Sequence, residues 1–99
     1  MSRHLAEQAA ETGRRFRFAL GDRLLDNASR HARERGAQNL RRILREGDPA
    51  NEILDLAGQE QVDIIVLGRR GLGDLAGLLL GSVSHKVTHI AQCACLTVR

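Results

Sequence analysis

Aromatic residues are almost absent from this chain. Its 99 residues include no Trp and no Tyr, and Phe16 and Phe18 are its only phenylalanines. Single-stranded nucleic acids are usually bound on stacking platforms of aromatic side chains, so this scarcity argues against that mode of binding. A core must therefore be built from Leu, Ile, Val and Ala. The length predicts one small domain whose core is close to the lower limit for independent stability.

Cysteines and long apolar runs are also scarce. Cys93 and Cys95 are separated by one residue, a strained spacing for a disulfide, and two thiols are too few for a metal site. We therefore expect buried thiols in a reducing compartment. No stretch resembles a signal peptide or reaches the length of a membrane span, so the sequence predicts a cytoplasmic protein with no membrane partner.

Charge is distributed unevenly along the chain. Residues 1–47 hold eleven arginines and six acidic residues, whereas residues 48–99 hold four basic and six acidic residues. A basic N-terminal half could bind nucleic acid or acidic lipid. The arginines alternate with acids such as Asp22, Asp26 and Glu34, however, which favours a solvated helix face and no nucleic-acid partner.

The N-terminal part is the hardest to assign. Residues 1–19 are uncertain: a short helix is predicted first, and then the alternation of "RFRFAL" (Arg15–Leu20) favours a strand. An amphipathic helix is predicted over residues 20–35, with Gly36 as its C-terminal stop. "NLRRILRE" (Asn39–Glu46) is interpreted as a short strand.

The C-terminal half has clearer patterns. Asp48 can cap a helix whose first turn contains Pro49. "VDIIVLG" (Val62–Gly68) is a continuous apolar run, which predicts a parallel strand buried on both faces. Another helix is predicted from Ser82 or Ser84, and "CLTVR" (Cys95–Arg99) is a final strand. The order α-β-α-β-loop-α-β predicts an α/β fold with parallel strands.

A glycine-rich segment, "GRRGLGDLAGLLLGSVSHK", follows the apolar strand. Ligands of open α/β sheets bind at the carboxyl ends of strands, glycines allow close backbone approach, and a helix N-terminus favours phosphate. Two common phosphate motifs do not fit: Lys86 is displaced from its Walker A place, and Ala76 stands where the dinucleotide fingerprint needs glycine. The residues alone leave a phosphate loop and a plain connection as alternatives.

The glycine spacing resembles that of a known family. Gly68, Gly71, Gly81 and Ser82 form the pattern G-x2-G-x9-G-S, and with "VDIIVLG", "EGDPANEIL" and "CLTVR" it resembles the universal stress protein family over residues 36–99. The resemblance implies a truncated open parallel sheet of the adenine-nucleotide alpha-hydrolase-like (Rossmann-like) type, with three layers α/β/α. It also implies a single domain over residues 1–99.

The resemblance further implies a stress-response module that binds ATP or AMP, with or without Mg²⁺. The family's nucleotide-binding positions correspond to residues that hold ribose and phosphates or lie close by, namely Gly68, Gly71, Gly81, Ser82, Val83 and Ser84. Arg69 and Arg70 fill the variable positions between the first two glycines. Family members show weak or no hydrolysis, so no enzyme is expected, and they usually form homodimers through the C-terminal strand.

The family's first strand, helix and second strand have no counterpart here. We therefore expect the gap to be filled by a second chain in a swapped homodimer, or by Arg15–Leu20 as a surrogate strand. Without the first half of the pocket the nucleotide could be lost, so the alternative function is a dimerisation or interaction module. A nucleic-acid-binding accessory using the N-terminal arginines is a third hypothesis.

Three other residues or pairs carry weaker signals. His85 and His89 are four residues apart on one predicted helix. They are interpreted either as a metal-binding pair or as two surface histidines. Asp74 could hold a metal beside phosphates or be a solvated loop acid. Ser82 has no evident His and Asp partners in the sequence, so nucleophilic catalysis is not predicted.

Overall fold

The structure is a computed structural model that describes residues 3–68 and 80–98. The chain divides into two compact units, Met1–Leu44 and Arg45–Arg99. Within the described residues, no helix is both long enough and apolar enough to cross a membrane. The single-domain assignment over residues 1–99 stays a prediction.

The first unit is dominated by one long helix, α1, over Arg3–Glu34. The predicted helix over 20–35 is confirmed, and Gly36 follows its end with φ of +101°, a conformation that favours glycine. The predicted strand at Arg15–Leu20 is wrong, because these residues lie inside α1. Alternation over only six residues does not exclude a helix. Glu11, before Gly13 in the sequence, forms ion pairs with Arg14 and Arg15 after it, and such pairs stabilise a helix.

The segment after α1 runs back along the helix. A Cβ placed on Gly21 would lie 2.6 Å from Cδ1 of Leu44, so the two residues are in close contact. Arg42 pairs with Asp22 at 2.6 Å and also with Asp26. The predicted strand at Asn39–Glu46 is wrong: the segment is irregular, because no strand among the described residues offers it a hydrogen-bonding ladder.

The second unit begins with a helix, α2, over Pro49–Glu60. Its start is as predicted: the Asp48 carboxylate accepts a hydrogen bond from the Asn51 amide at 3.0 Å, and Pro49 occupies the first turn. Gln61 ends the helix in the left-handed conformation. Just before the cap, Gly47 has φ of +136°, and a Cβ there would meet the Glu52 side chain at 2.7 Å.

Two strands and a crossover helix complete this unit: β1 over Ile64–Gly68, α3 over Leu80–Ile90 and β2 over Ala94–Val98. The strands are parallel, with Ile64 opposite Ala94 and Gly68 opposite Val98. The α/β class and both strands are therefore confirmed. The helix begins at Leu80, slightly before the predicted start, and the predicted strand end at Arg99 lies outside the described residues.

The core lies on one face of this sheet. Ala50 of α2, Ile65 of β1 and Val87 of α3 are buried, with Leu67 and Val83 packed beside them. The other face carries apolar side chains that are 42–57% exposed, namely those of Ile64, Val66, Leu96 and Val98. Burial of the first strand on both faces is therefore wrong, because α2 and α3 pack on a single side.

Candidate functional site

The candidate site lies where β1 ends and α3 begins. β1 ends at Gly68, the chain enters α3 at Leu80, and β2 then returns parallel to β1. In such a β-α-β unit the crossover helix runs antiparallel to both strands, so its N-terminus lies at the edge formed by their carboxyl ends. The topology therefore brings Gly68 and the start of α3 to the same edge of the sheet.

The first turn of α3 presents small residues to solvent. Gly81 and Ser82 are exposed, and a Cβ on Gly81 would find no atom of the described residues within 4 Å. The backbone of this turn can therefore be approached closely by a ligand. The first four N–H groups of an α-helix lack intrahelical acceptors and lie at the positive end of the helix dipole. This turn accordingly has the chemistry of an anion site.

The next two predicted residues have a different environment. Val83 is half-buried against the core, and Ser84 is only 8% exposed. The Ser84 hydroxyl donates to the carbonyl of Gly81 at 3.3 Å, and the Ser84 carbonyl accepts a hydrogen bond from Thr88. The first of these hydrogen bonds occupies the Ser84 hydroxyl within the helix. Val83 and Ser84 therefore hold the turn in place, whereas Gly81 and Ser82 form its exposed surface.

Lys86, displaced from the Walker A position in the sequence, is a further candidate for this site. It follows Ser82 by four residues, so both lie on one side of α3, and helical side chains lean toward the N-terminus. Its Nζ lies 3.7 Å from Oδ2 of Asp48, the residue that caps α2. The ion pair is about half-exposed, and it joins the middle of α3 to the start of α2. The four-residue spacing from Ser82 was the available signal.

The rest of the predicted loop lies outside the described residues. It includes Gly71, Arg69, Arg70 and Asp74, together with Gly73 and Gly77. Their predicted roles stay predictions. Of the six predicted nucleotide-binding residues, five lie in the described residues, at the end of β1 and the start of α3.

The remaining candidates are placed clearly. His85 and His89 are exposed on α3, with stacked rings whose centroids are 6.1 Å apart. Within residues 3–68 and 80–98, no three His, Cys, Asp or Glu side chains gather as a metal-binding group. Cys93 and Cys95 are free thiols as predicted, but they are half-buried where full burial was expected.

Several of the N-terminal arginines form ion pairs with acids of their own unit. Arg3 pairs with Glu7 at 3.4 Å, and Glu11 serves both Arg14 and Arg15. The side-chain hydrogen bond and the charge of Arg14 hold the pKa of the Glu11 carboxyl below the usual glutamate value. This pairing supports the interpretation of α1 as a solvated helix face.

Comparison with known proteins identifies the family. The sequence model of the universal stress protein family matches residues 2–99. The chain is similar to Universal stress protein YxiE of Bacillus subtilis, with 44% identity over 80% of the chain and 53% of that relative. It is also similar to universal stress proteins of Methanothermobacter thermautotrophicus (49% identity over 62% of the chain and 41% of the relative) and Thermus aquaticus (49% over 58% and 42%).

The chain spans about half the length of these curated relatives. No solved structure matches it significantly. The family match covers nearly every residue, and it includes the strand, the crossover helix and the exposed glycine turn described above. The chain therefore belongs to the universal stress protein family.

Proposed function

We propose that this chain is a stress-response regulatory module that binds ATP or AMP at the carboxyl edge of its sheet. The observation that carries the proposal is the exposed Gly81–Ser82 turn at the start of α3, in the same β-α-β unit as Gly68. In this site Gly81 and Ser82 contact phosphate and Gly68 allows the ligand to approach β1. Gly71, which lies outside the described residues, keeps its predicted role in the same site.

Two sources of positive potential support phosphate binding. One is the α3 N-terminus with its amide groups, and the other is Lys86, held 3.7 Å from the Asp48 carboxylate. A phosphate that competes with Asp48 for Lys86 would gain a charge-assisted contact. ATP carries more phosphate charge than AMP, so ATP benefits more from both. Mg²⁺ would accompany ATP through the phosphate oxygens, the usual way in which this ion reaches such sites.

The proposed assembly is a homodimer on a Rossmann-like, three-layer plan. In α/β folds of this kind both faces of the sheet are covered, whereas here the face bearing Ile64, Val66, Leu96 and Val98 is exposed. Among the described residues β1 and β2 pair only with each other, so β2 also has an edge available to a second copy. A second copy that pairs along β2 or swaps an element would cover part of this surface.

A second candidate function is an interaction module without nucleotide. The observation that favours it is the same exposed sheet face, which suits assembly whether or not a nucleotide binds. The two candidates differ in one measurable property, nucleotide affinity. The arginine pairing within α1 gives no comparable support to the nucleic-acid hypothesis.

Calorimetric titration of the purified chain with ATP, with AMP and with each in the presence of Mg²⁺ tests the proposal. Saturable binding below millimolar concentration supports the nucleotide module. No heat of binding up to millimolar nucleotide would overturn it in favour of the interaction module. Light scattering coupled to gel filtration tests the dimer separately, and a monomer at every concentration would exclude the homodimer.

A further inference from the structure

Two histidines occupy one side of α3. His85 and His89 are one helical turn apart and both are exposed. Their ring centroids lie 6.1 Å apart and the ring planes differ by 12°. Apart from this ring contact, neither side chain forms a hydrogen bond or an ion pair with the described part of the chain. We propose that the two imidazoles form a binding site for one divalent transition-metal ion.

The donor chemistry suits ions such as Ni²⁺, Cu²⁺ and Zn²⁺. Neutral imidazole is the commonest ligand for such metals in proteins, and histidines at positions i and i+4 of a helix can reach one ion. Metal–nitrogen bonds of about 2.0–2.1 Å place the two donor atoms about 3 Å apart. The rings must then approach each other by about 1 Å, a shift that side-chain rotation can supply because the Cβ atoms of such a pair are about 5–6 Å apart.

The helix beneath the pair is firmly held. Val87, which lies between the two histidines in sequence, is 0% exposed and packs in the core. The Thr88 hydroxyl donates to the Ser84 carbonyl one turn earlier. The backbone spacing of the two imidazoles is therefore fixed before the metal arrives. Binding would join two successive turns of α3 and stabilise the helix.

Only two protein ligands are present, and this determines the kind of site. In the described residues no third His, Cys, Asp or Glu joins the pair, so water fills the other coordination positions. Such a site is exchangeable rather than structural. An unstrained imidazole pair should follow the order of affinities Co²⁺ < Ni²⁺ < Cu²⁺, with Zn²⁺ below Cu²⁺. Mg²⁺ and Ca²⁺ prefer oxygen ligands and should not bind, so the site differs in ion preference from Mg²⁺ bound with ATP.

Calorimetric titration of the full, tag-free chain with Ni²⁺ is the first test. We expect one ion per chain, a rise in Kd of about tenfold or more for His85→Gln or His89→Gln, and no binding for the double variant. The matched control is the double variant His4→Gln/His31→Gln, which removes the same number of imidazoles from α1 and should bind as the unchanged chain does. Both histidines of the pair are exposed, so the variants should keep their circular dichroism spectrum.

The second test locates the ion directly. Paramagnetic Cu²⁺ broadens nearby proton resonances, and the measurement uses Cys93→Ser/Cys95→Ser protein because thiols reduce Cu²⁺. Selective broadening of the His85 and His89 ring protons is expected. Undiminished Ni²⁺ binding by the His85→Gln/His89→Gln variant, loss of Ni²⁺ binding in the cysteine variant, or equal broadening of all four histidines would overturn the proposal.

Discussion

The most direct test of the nucleotide site is a side chain added at Gly81. The residue lies in the first turn of α3 and is exposed, and in the described part of the chain no atom lies within 4 Å of a Cβ built there. Gly81→Ala and Gly81→Val therefore add one and three carbon atoms to a position that the fold does not use. The added atoms would stand on the backbone surface that a phosphate must approach.

The expected effects on stability and on binding have opposite signs. A glycine replaced by alanine within a helix gains up to about 1 kcal/mol, and less near an end, so the free energy of unfolding should stay level or rise. A hydrogen bond to a charged group contributes about 1.5–3 kcal/mol. Losing one such contact to phosphate raises the Kd by about 10- to 150-fold. Valine should have a larger effect than alanine because it excludes more of the approach.

The assay combines nucleotide titration with chemical denaturation of each variant. Gly58→Val is the matched control: Gly58 lies in the last turn of α2, where an added Cβ also meets no atom within 4 Å. Gly58 lies at the opposite end of α2 from Asp48, so the Gly58→Val variant should bind nucleotide as tightly as the unchanged chain. Equal nucleotide affinity in Gly81→Val and the unchanged chain would refute the phosphate role of this turn. An equal loss in Gly58→Val would show that the effect is not local.

Three further predictions concern single side chains. Lys86→Met should weaken ATP binding by about 2- to 5-fold, as expected for a half-exposed charge contact, and should weaken AMP binding by less. Lys86→Arg should keep most of the affinity. Equal losses for both nucleotides would contradict a contact between Lys86 and the phosphates. Val87→Ala should lower the free energy of unfolding by about 2 kcal/mol, because it removes buried methyl groups from a fully buried side chain. Ile90→Ala, where the side chain is 51% exposed, should lower it by less than about 1 kcal/mol. A larger loss for Ile90→Ala in urea denaturation would show that the core is not centred on Val87. The pKa of Glu11 should lie below the usual glutamate value, so the stabilisation of α1 by its ion pairs is present at neutral pH and is lost as the pH falls through that lowered pKa. In an NMR titration, Arg14→Gln should return the pKa of the Glu11 carboxyl toward its ordinary value. An unchanged pKa would exclude Arg14 as the cause.

The features predicted correctly from the sequence depend on local interactions. Asp48 and Pro49 start α2 as expected because an N-cap and a first-turn proline act on the nearest backbone groups. The β-branched run after α2 forms β1, and Gly36 lies just after α1, for similarly local reasons. Gly68 lies at the end of β1, and Gly81 and Ser82 lie at the start of α3, because their spacing follows from that order of elements.

The errors concern features that depend on distant partners. The alternation of Arg15–Leu20 predicts a strand, but a strand needs a neighbour, and α1 continues through this segment with ion pairs between its turns. Asn39–Glu46 likewise lacks a ladder, and its arginines can satisfy acids instead, as Arg42 does with Asp22. Motif spacing alone argued against Lys86, because its position depends on Asp48, a residue far away in the sequence that only the fold brings near.

The exposed face of the sheet connects the stability of the chain to its proposed assembly. β1 is apolar on both sides, yet Ile64 and Val66 are at least half exposed while Ile65 is buried. Leu96 and Val98 are exposed to a similar degree. Each of these four side chains therefore lacks about half of the stabilisation that full burial would give, or roughly 1 kcal/mol. That sum of about 4 kcal/mol is comparable to the whole net stability of a small domain. Covering this face, as the proposed homodimer would, should therefore raise the free energy of unfolding of the second unit as well as change the oligomeric state.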